Sequence, residues 1–94
     1  MLNLFMKNYL GNIMLGEGQF DNELMVGYLS KGYECSGFFP KEIIKEGRLE
    51  VEVFGLDKDR GLMVVKPVQG RFFETHGAGY VLVRLGDVVF RSED

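Results

Sequence analysis

The stretch RLEVEVFGL at positions 48–56, followed by DKDRG at 57–61 and LMVVK at 62–66, decides the fold class. Leu49, Val51 and Val53 alternate with Glu50, Glu52 and Phe54. That period of two puts an apolar row on one side of an extended chain and a mostly charged row on the other, which is a half-buried β-strand. Asp57-Lys58-Asp59-Arg60-Gly61 is turn chemistry, and Leu62–Lys66 is the antiparallel return strand.

The same grammar continues on both sides. Upstream, Glu23–Leu29 and Tyr33–Phe39 flank Ser30-Lys31-Gly32 and read as a hairpin. Pro40 ends its second strand because it has no N–H for a central ladder. Lys41–Lys45 has room for one helical turn, closed by Gly47. Downstream, Val68–Phe73, Tyr80–Leu85 and Val88–Arg91 read as strands, joined by Thr75-His76-Gly77-Ala78-Gly79 and by Gly86-Asp87. At the N-terminus Leu2, Phe5, Tyr9 and Ile13 recur near helical spacing, which predicts a short amphipathic helix over Asn3–Leu10 stopped by Gly11. Asn12–Leu15 is expected to be a short strand leading into Gly16-Glu17-Gly18. The expected architecture is all-β: one domain over 1–94, a small closed or partly open barrel, OB-like or alternatively SH3-like, of about seven short strands with a short N-terminal helix.

Composition agrees. Among 94 residues Gly occurs 13 times and Phe 8, whereas Ala and Thr occur once each. Aromatic and β-branched side chains suit a pleated surface, and glycine suits tight turns. At 46% hydrophobic and 27% charged the chain is apolar enough to fold on its own core. It has no apolar run long enough for a membrane helix and no basic-then-apolar leader pattern, so neither membrane insertion nor secretion is expected. The single cysteine, Cys35, rules out an internal disulfide framework and makes a cytoplasmic address the default. The net charge of -3 disfavours indiscriminate polyanion binding. Charge is uneven, however: residues 1–50 carry a slight acidic excess, and residues 57–91 a slight basic one.

At an offset of 52, Gly18, Phe20, Gly27, Tyr28 and Phe38 align on Gly70, Phe72, Gly79, Tyr80 and Phe90. Shared turn chemistry in two hairpins accounts for this, as would a repeated half-barrel. A wider pattern runs through Gly37-Phe38-Phe39-Pro40, Lys45-Glu46-Gly47, Leu49-Glu50-Val51-Glu52-Val53 and Asp57-Lys58-Asp59-Arg60-Gly61. It resembles the second half of the repeated RNA-binding OB-fold module of the largest small-subunit ribosomal protein. Val68-Gln69-Gly70-Arg71 through Gly79-Tyr80-Val81-Leu82-Val83 is similar to the start of such a repeat. The two pieces cover about half of the chain and stand in the opposite order to an intact repeat. The resemblance implies an OB-type barrel and RNA binding.

Catalytic and metal chemistry find little footing. One Cys and one His fall short of the three or four N/S ligands of a zinc site. Asp57-x-Asp59-x-Gly61 lacks the glycine position and the distant Glu of a calcium loop, and reads as a turn. Cys35 sits mid-strand beside Glu34, which would raise rather than lower its pKa, and nothing brings His76 to it. His76-Gly77-Ala78-Gly79 has no nucleophile elbow to serve. Gly16-Glu17-Gly18 lacks the third glycine of a phosphate loop. Glu50 and Glu52 are alternate residues facing water. No enzyme activity, cofactor or metal is expected.

Binding is the remaining class. Single-strand binders offer aromatic rings for base stacking and Lys or Arg for phosphates. The candidates are Phe38, Phe39, Phe72, Phe73 and Tyr80, with Lys41, Lys66, Arg71, Arg84 and Arg91 around them. Neighbours in a regular strand point to opposite faces, so one ring of Phe38-Phe39 and one of Phe72-Phe73 is expected outside. Single-stranded RNA is the specific expectation. The alternative is a protein-interaction or homo-oligomerisation module, favoured by the acidic balance, the apolar N-terminal segment and five methionines, which make adaptable contacts.

Overall fold

In the computed structural model, which describes residues 6–30, 32–73 and 79–92, the 48–57 stretch is the longest strand. The described strands are β1 (Met6–Leu10), β2 (Met14–Glu17), β3 (Glu23–Ser30), β4 (Tyr33–Pro40), β5 (Ile44–Lys45), β6 (Arg48–Asp57), β7 (Leu62–Pro67), β8 (Val81–Arg84) and β9 (Val88–Ser92). Single 3-10 turns occupy Lys41–Ile43 and Leu85–Asp87. All pairing is antiparallel. One sheet has the order β8-β7-β6-β1-β9, with β5 paired to the start of β6; the other is β2-β3-β4.

The hairpins predicted around 57–61 and 30–32 are present. The Asp57 carboxylate accepts from the Arg60 N–H at 3.2 Å, and Gly61 closes the turn at φ 66°. The turn between β5 and β6 places Glu46 and Gly47 at φ 54° and 76°. Two consecutive positive-φ residues make a type I′ link, whose twist matches that of paired strands.

Three expectations are corrected. Met6–Leu10 is not helical but a central strand between β6 and β9, where Leu10 pairs with both Leu49 and Val88. So short a segment cannot sustain a helix alone, whereas β9 pairs it along Met6–Leu10 and β6 along residues 8–10; the rest of the predicted helix, at positions 3–5, lies outside the described residues. Val68–Phe73 is not a strand. Pro67 ends β7, Gly70 turns the chain at φ 77°, and Phe72 plugs the core. The predicted 12–15 strand is displaced to Met14–Glu17, after Asn12 at φ 54°.

The sheets do not close into a barrel. Where β3 approaches β8, side chains replace a ladder: the Ser30 hydroxyl donates to the Leu82 carbonyl, and the Arg84 N–H donates to the Tyr28 hydroxyl at 3.1 Å. Between the two inner faces lies one core, including Leu10, Val26, Tyr28, Phe39, Leu49, Val51, Val65, Phe72, Val81 and Val83. Full burial of side chains of this size contributes about 1.5–3 kcal/mol each. The positions related by the offset of 52 are not equivalent in space. Phe20 is 68% exposed while Phe72 is wholly buried, and Tyr28 is buried while Tyr80 is exposed. A repeated half-barrel is thereby excluded.

Candidate interaction surface

The ten predicted binding residues separate into three groups. Phe39 and Phe72 belong to the core, their rings edge-to-face at 5.0 Å, so neither presents a face to a ligand. Gly37 makes room for this packing: a Cβ there would lie 2.8 Å from the Arg71 carbonyl oxygen and 3.0 Å from the Phe39 ring.

Arg84 and Arg91 are engaged by carboxylates. Arg84 Nε donates to Asp87 Oδ2 at 3.1 Å and its Nη2 donates to the Leu29 carbonyl at 2.9 Å. Its guanidinium also lies over the Tyr28 ring, 5.1 Å from the centroid. Tyr28 donates to Asp87 Oδ2 at 2.5 Å. Burial first, and then this hydrogen bond, push the Tyr28 phenol up to about 12. Arg91 hydrogen-bonds Glu46, which also faces Arg48 at 3.6 Å. The Arg91 hydrogen bond holds the Glu46 carboxyl below its ordinary value. These contacts tie β9 to the strained β5–β6 turn.

The remaining aromatic residues fall in two places. On the outer face of β6-β7-β8, Phe54 and Tyr80 meet edge-to-face at 5.1 Å, and Lys66 Nζ lies 5.5 Å from the Tyr80 centroid. Simple alternation puts Phe54 in the mostly charged row of its strand. The actual register jumps from Val53 opposite Val65 to Gly55 opposite Val64, so Phe54 is the extra residue of a bulge. The Phe54-Gly55 dipeptide inside an otherwise regular strand was the available signal.

The second place is the outer face of β2-β3-β4. Register puts Met14 opposite Gly27, Gly16 opposite Met25, and Met25 opposite Phe38. A Cβ on Gly27 would lie 3.1 Å from Met14 Cε, and one on Gly16 2.9 Å from Met25 Cε. Each methionine therefore lies across a glycine of the neighbouring strand. Phe73 extends the patch, its ring 5.9 Å from that of Phe38, and its N–H donates to the Ser36 carbonyl at 2.7 Å, covering part of the β4 edge. Met14 is 51% exposed and Phe73 62%. Lys41 and Arg71 are exposed as well. Met25 escaped the sequence reading because its importance depends on which residue faces it across the ladder.

Cys35 is buried, its thiol 3.4 Å from the Tyr28 carbonyl. His76 lies outside the described residues. No helix among the described residues is long and apolar enough to cross a membrane. The fold and surfaces define a two-sheet antiparallel β protein with an apolar, methionine-bearing outer sheet face. No protein-family model matches the chain, and no curated protein or solved structure matches it.

Proposed function

We propose that this chain is a non-enzymatic protein-binding module that works through the outer face of β2-β3-β4. The observation that carries this reading is that the small sheet carries large apolar side chains on both sides. Its inner side holds Val26, Tyr28 and Phe39, and its outer side holds Met14, Met25 and Phe38. A sheet that faces water on one side ordinarily alternates apolar-in with polar-out. Contiguous apolar surface of this kind marks interaction sites, and methionine adapts to its partner. The strand order β9-β1-β6-β7-β8, with a 3-10 turn before the last strand, supports an SH3-like arrangement with β2-β3-β4 inserted after the first strand. An OB-type Greek key is less well supported by this sequential meander. A cytoplasmic address belongs to the same reading.

Photo-crosslinking tests it. A benzophenone amino acid at Phe73 is expected to trap protein in cells, and Met25→Glu to abolish the adduct. Adducts with nucleic acid alone, or protein adducts that survive Met25→Glu, would overturn it.

A second reading, single-stranded RNA binding, is supported by the Phe54–Tyr80 pair beside Lys66, two rings and a cation on one open sheet face. Stacking on one aromatic ring is worth about 1–3 kcal/mol per base, so Tyr80→Ala is expected to weaken RNA binding about 5- to 100-fold. Fluorescence anisotropy with a labelled mixed-sequence RNA checks this at two salt concentrations, since phosphate contacts make affinity fall with salt. Absence of binding at tens of micromolar protein in low salt removes the reading.

A further inference from the structure

We infer that β2 is the seam of a homodimer, in which the β2 strands of two copies pair antiparallel about a two-fold axis through Leu15. The two three-stranded sheets then become one six-stranded sheet. This goes beyond the protein-binding reading above: it adds a second copy at the edge of the same sheet and leaves the outer face free for a partner.

Among the described residues, the outer edge of β2 is open: its ladder runs to β3 alone, while part of the β4 edge at the other side of the sheet is covered by the Phe73–Ser36 hydrogen bond. Met14-Leu15-Gly16-Glu17 contains no Pro, Lys or bulge, three of the devices that blunt an edge, and its one charge, Glu17, sits at the end of the strand. Leu15, on the same side of the sheet as buried Val26, is itself 45% exposed.

Symmetry restricts how two such edges can meet. Directly opposed residues in an antiparallel pair point to the same side, so a two-fold pairing must oppose residues of like facing. A four-residue strand then has two central registers. Centred on Gly16, the pairing would set Leu15 against the partner's Glu17 twice and glycine against glycine. Centred on Leu15, it sets Leu15 against the partner's Leu15 and Met14 against the partner's Gly16. It also leaves the two Glu17 carboxylates at opposite ends, each facing the partner's Ile13. The Met-opposite-Gly pairing across this seam repeats the two already present within the chain, Met14 on Gly27 and Met25 on Gly16. The Leu15-centred register therefore joins like surface to like. Both copies' Met14, Met25 and Phe38 form one continuous outer face, with no like charges directly opposed.

Sedimentation equilibrium of the full chain, from micromolar to hundreds of micromolar, is expected to show mass rising toward twice 10.7 kDa. Leu15→Lys, which would oppose two ammonium groups, is expected to hold the single-chain mass throughout, with an unchanged melting curve showing that it folds. Opposed Cβ atoms lie about 4.5–5.5 Å apart in such a pair, so Leu15→Cys is expected to link two chains under mild oxidation. Linkage should run about ten-fold faster than for Phe20→Cys, whose site is exposed but away from the seam. A wild type that stays monomeric, a dimer indifferent to Leu15→Lys, or faster linkage through Gly16→Cys than through Leu15→Cys would each overturn the inference. If the wild type is monomeric but Met25→Glu still abolishes protein adducts from position 73, only the second copy is refuted. If those adducts also persist in Met25→Glu, the protein-binding reading fails with it.

Discussion

Phe72→Ala is expected to destabilise the chain by about 3–5 kcal/mol, whereas Phe73→Ala is expected to change stability by less than about 1 kcal/mol. The residues are adjacent and chemically identical, so the contrast isolates position in the fold. Phe72 is wholly buried against the Phe39 ring, where truncation leaves a cavity beside it. Tight backbone packing around Gly37 prevents collapse: the Arg71 carbonyl already approaches as closely as a glycine permits. Phe73 is 62% exposed and touches Phe38 only at the surface. Urea denaturation of both variants measures the difference. Equal losses would mean that Phe72 is not the core plug described. The result also governs how binding data are read, because a Phe72 variant that loses a ligand has lost its fold first.

Tyr28→Phe is expected to cost about 1–3 kcal/mol at neutral pH, the range for leaving buried hydrogen-bonding groups without a partner. The phenol stands at the junction of the two sheets, accepting from the Arg84 N–H and donating to Asp87. Removing it leaves both groups to be satisfied where side-chain contacts stand in for a ladder between β3 and β8. The alkaline limb gives an independent signature. With a folded pKa raised from 10.0 to about 12, the protonated phenol is favoured by the native state. Its contribution is complete below pH 10 and is lost as pH rises through the folded value, by about 2–3 kcal/mol in all. Ultraviolet titration of tyrosinate is expected to show an ionisation step near pH 12 that vanishes in Tyr28→Phe. A wild type whose stability is flat between pH 10 and 12 would contradict the arrangement.

What could be read without coordinates was whatever a local pattern determines. The period of two along 48–54, the 57–61 turn and the 23–39 hairpin are all decided by near neighbours, because pleat and turn geometry act over a few residues. Pairing partners are set by the whole chain, and they decided the rest. Met6–Leu10 has helical spacing and becomes a strand because β6 and β9 lie on either side of it. Val68–Phe73 has strand composition and becomes a loop because Phe72 completes the core.

The candidate surface divides in the same way. Strand alternation separates Phe38 from Phe39 but does not say which ring goes inside, whereas Phe72 and Phe73 separate in a loop, where alternation does not apply. Arg84 and Arg91 look in sequence like cations available to phosphate. Asp87 lies three residues from Arg84, while Glu46 lies 45 residues from Arg91 and reaches it only through the β5–β6 turn. The methionine face is the clearest case. Met14, Gly16, Met25 and Gly27 are ordinary residues until the ladder sets each methionine over a glycine. The sequence by itself determined an all-β chain with its main hairpins and an excess of aromatic and methionine side chains. Only the tertiary structure decided which of them meet water, because burial depends on contacts between residues far apart along the chain.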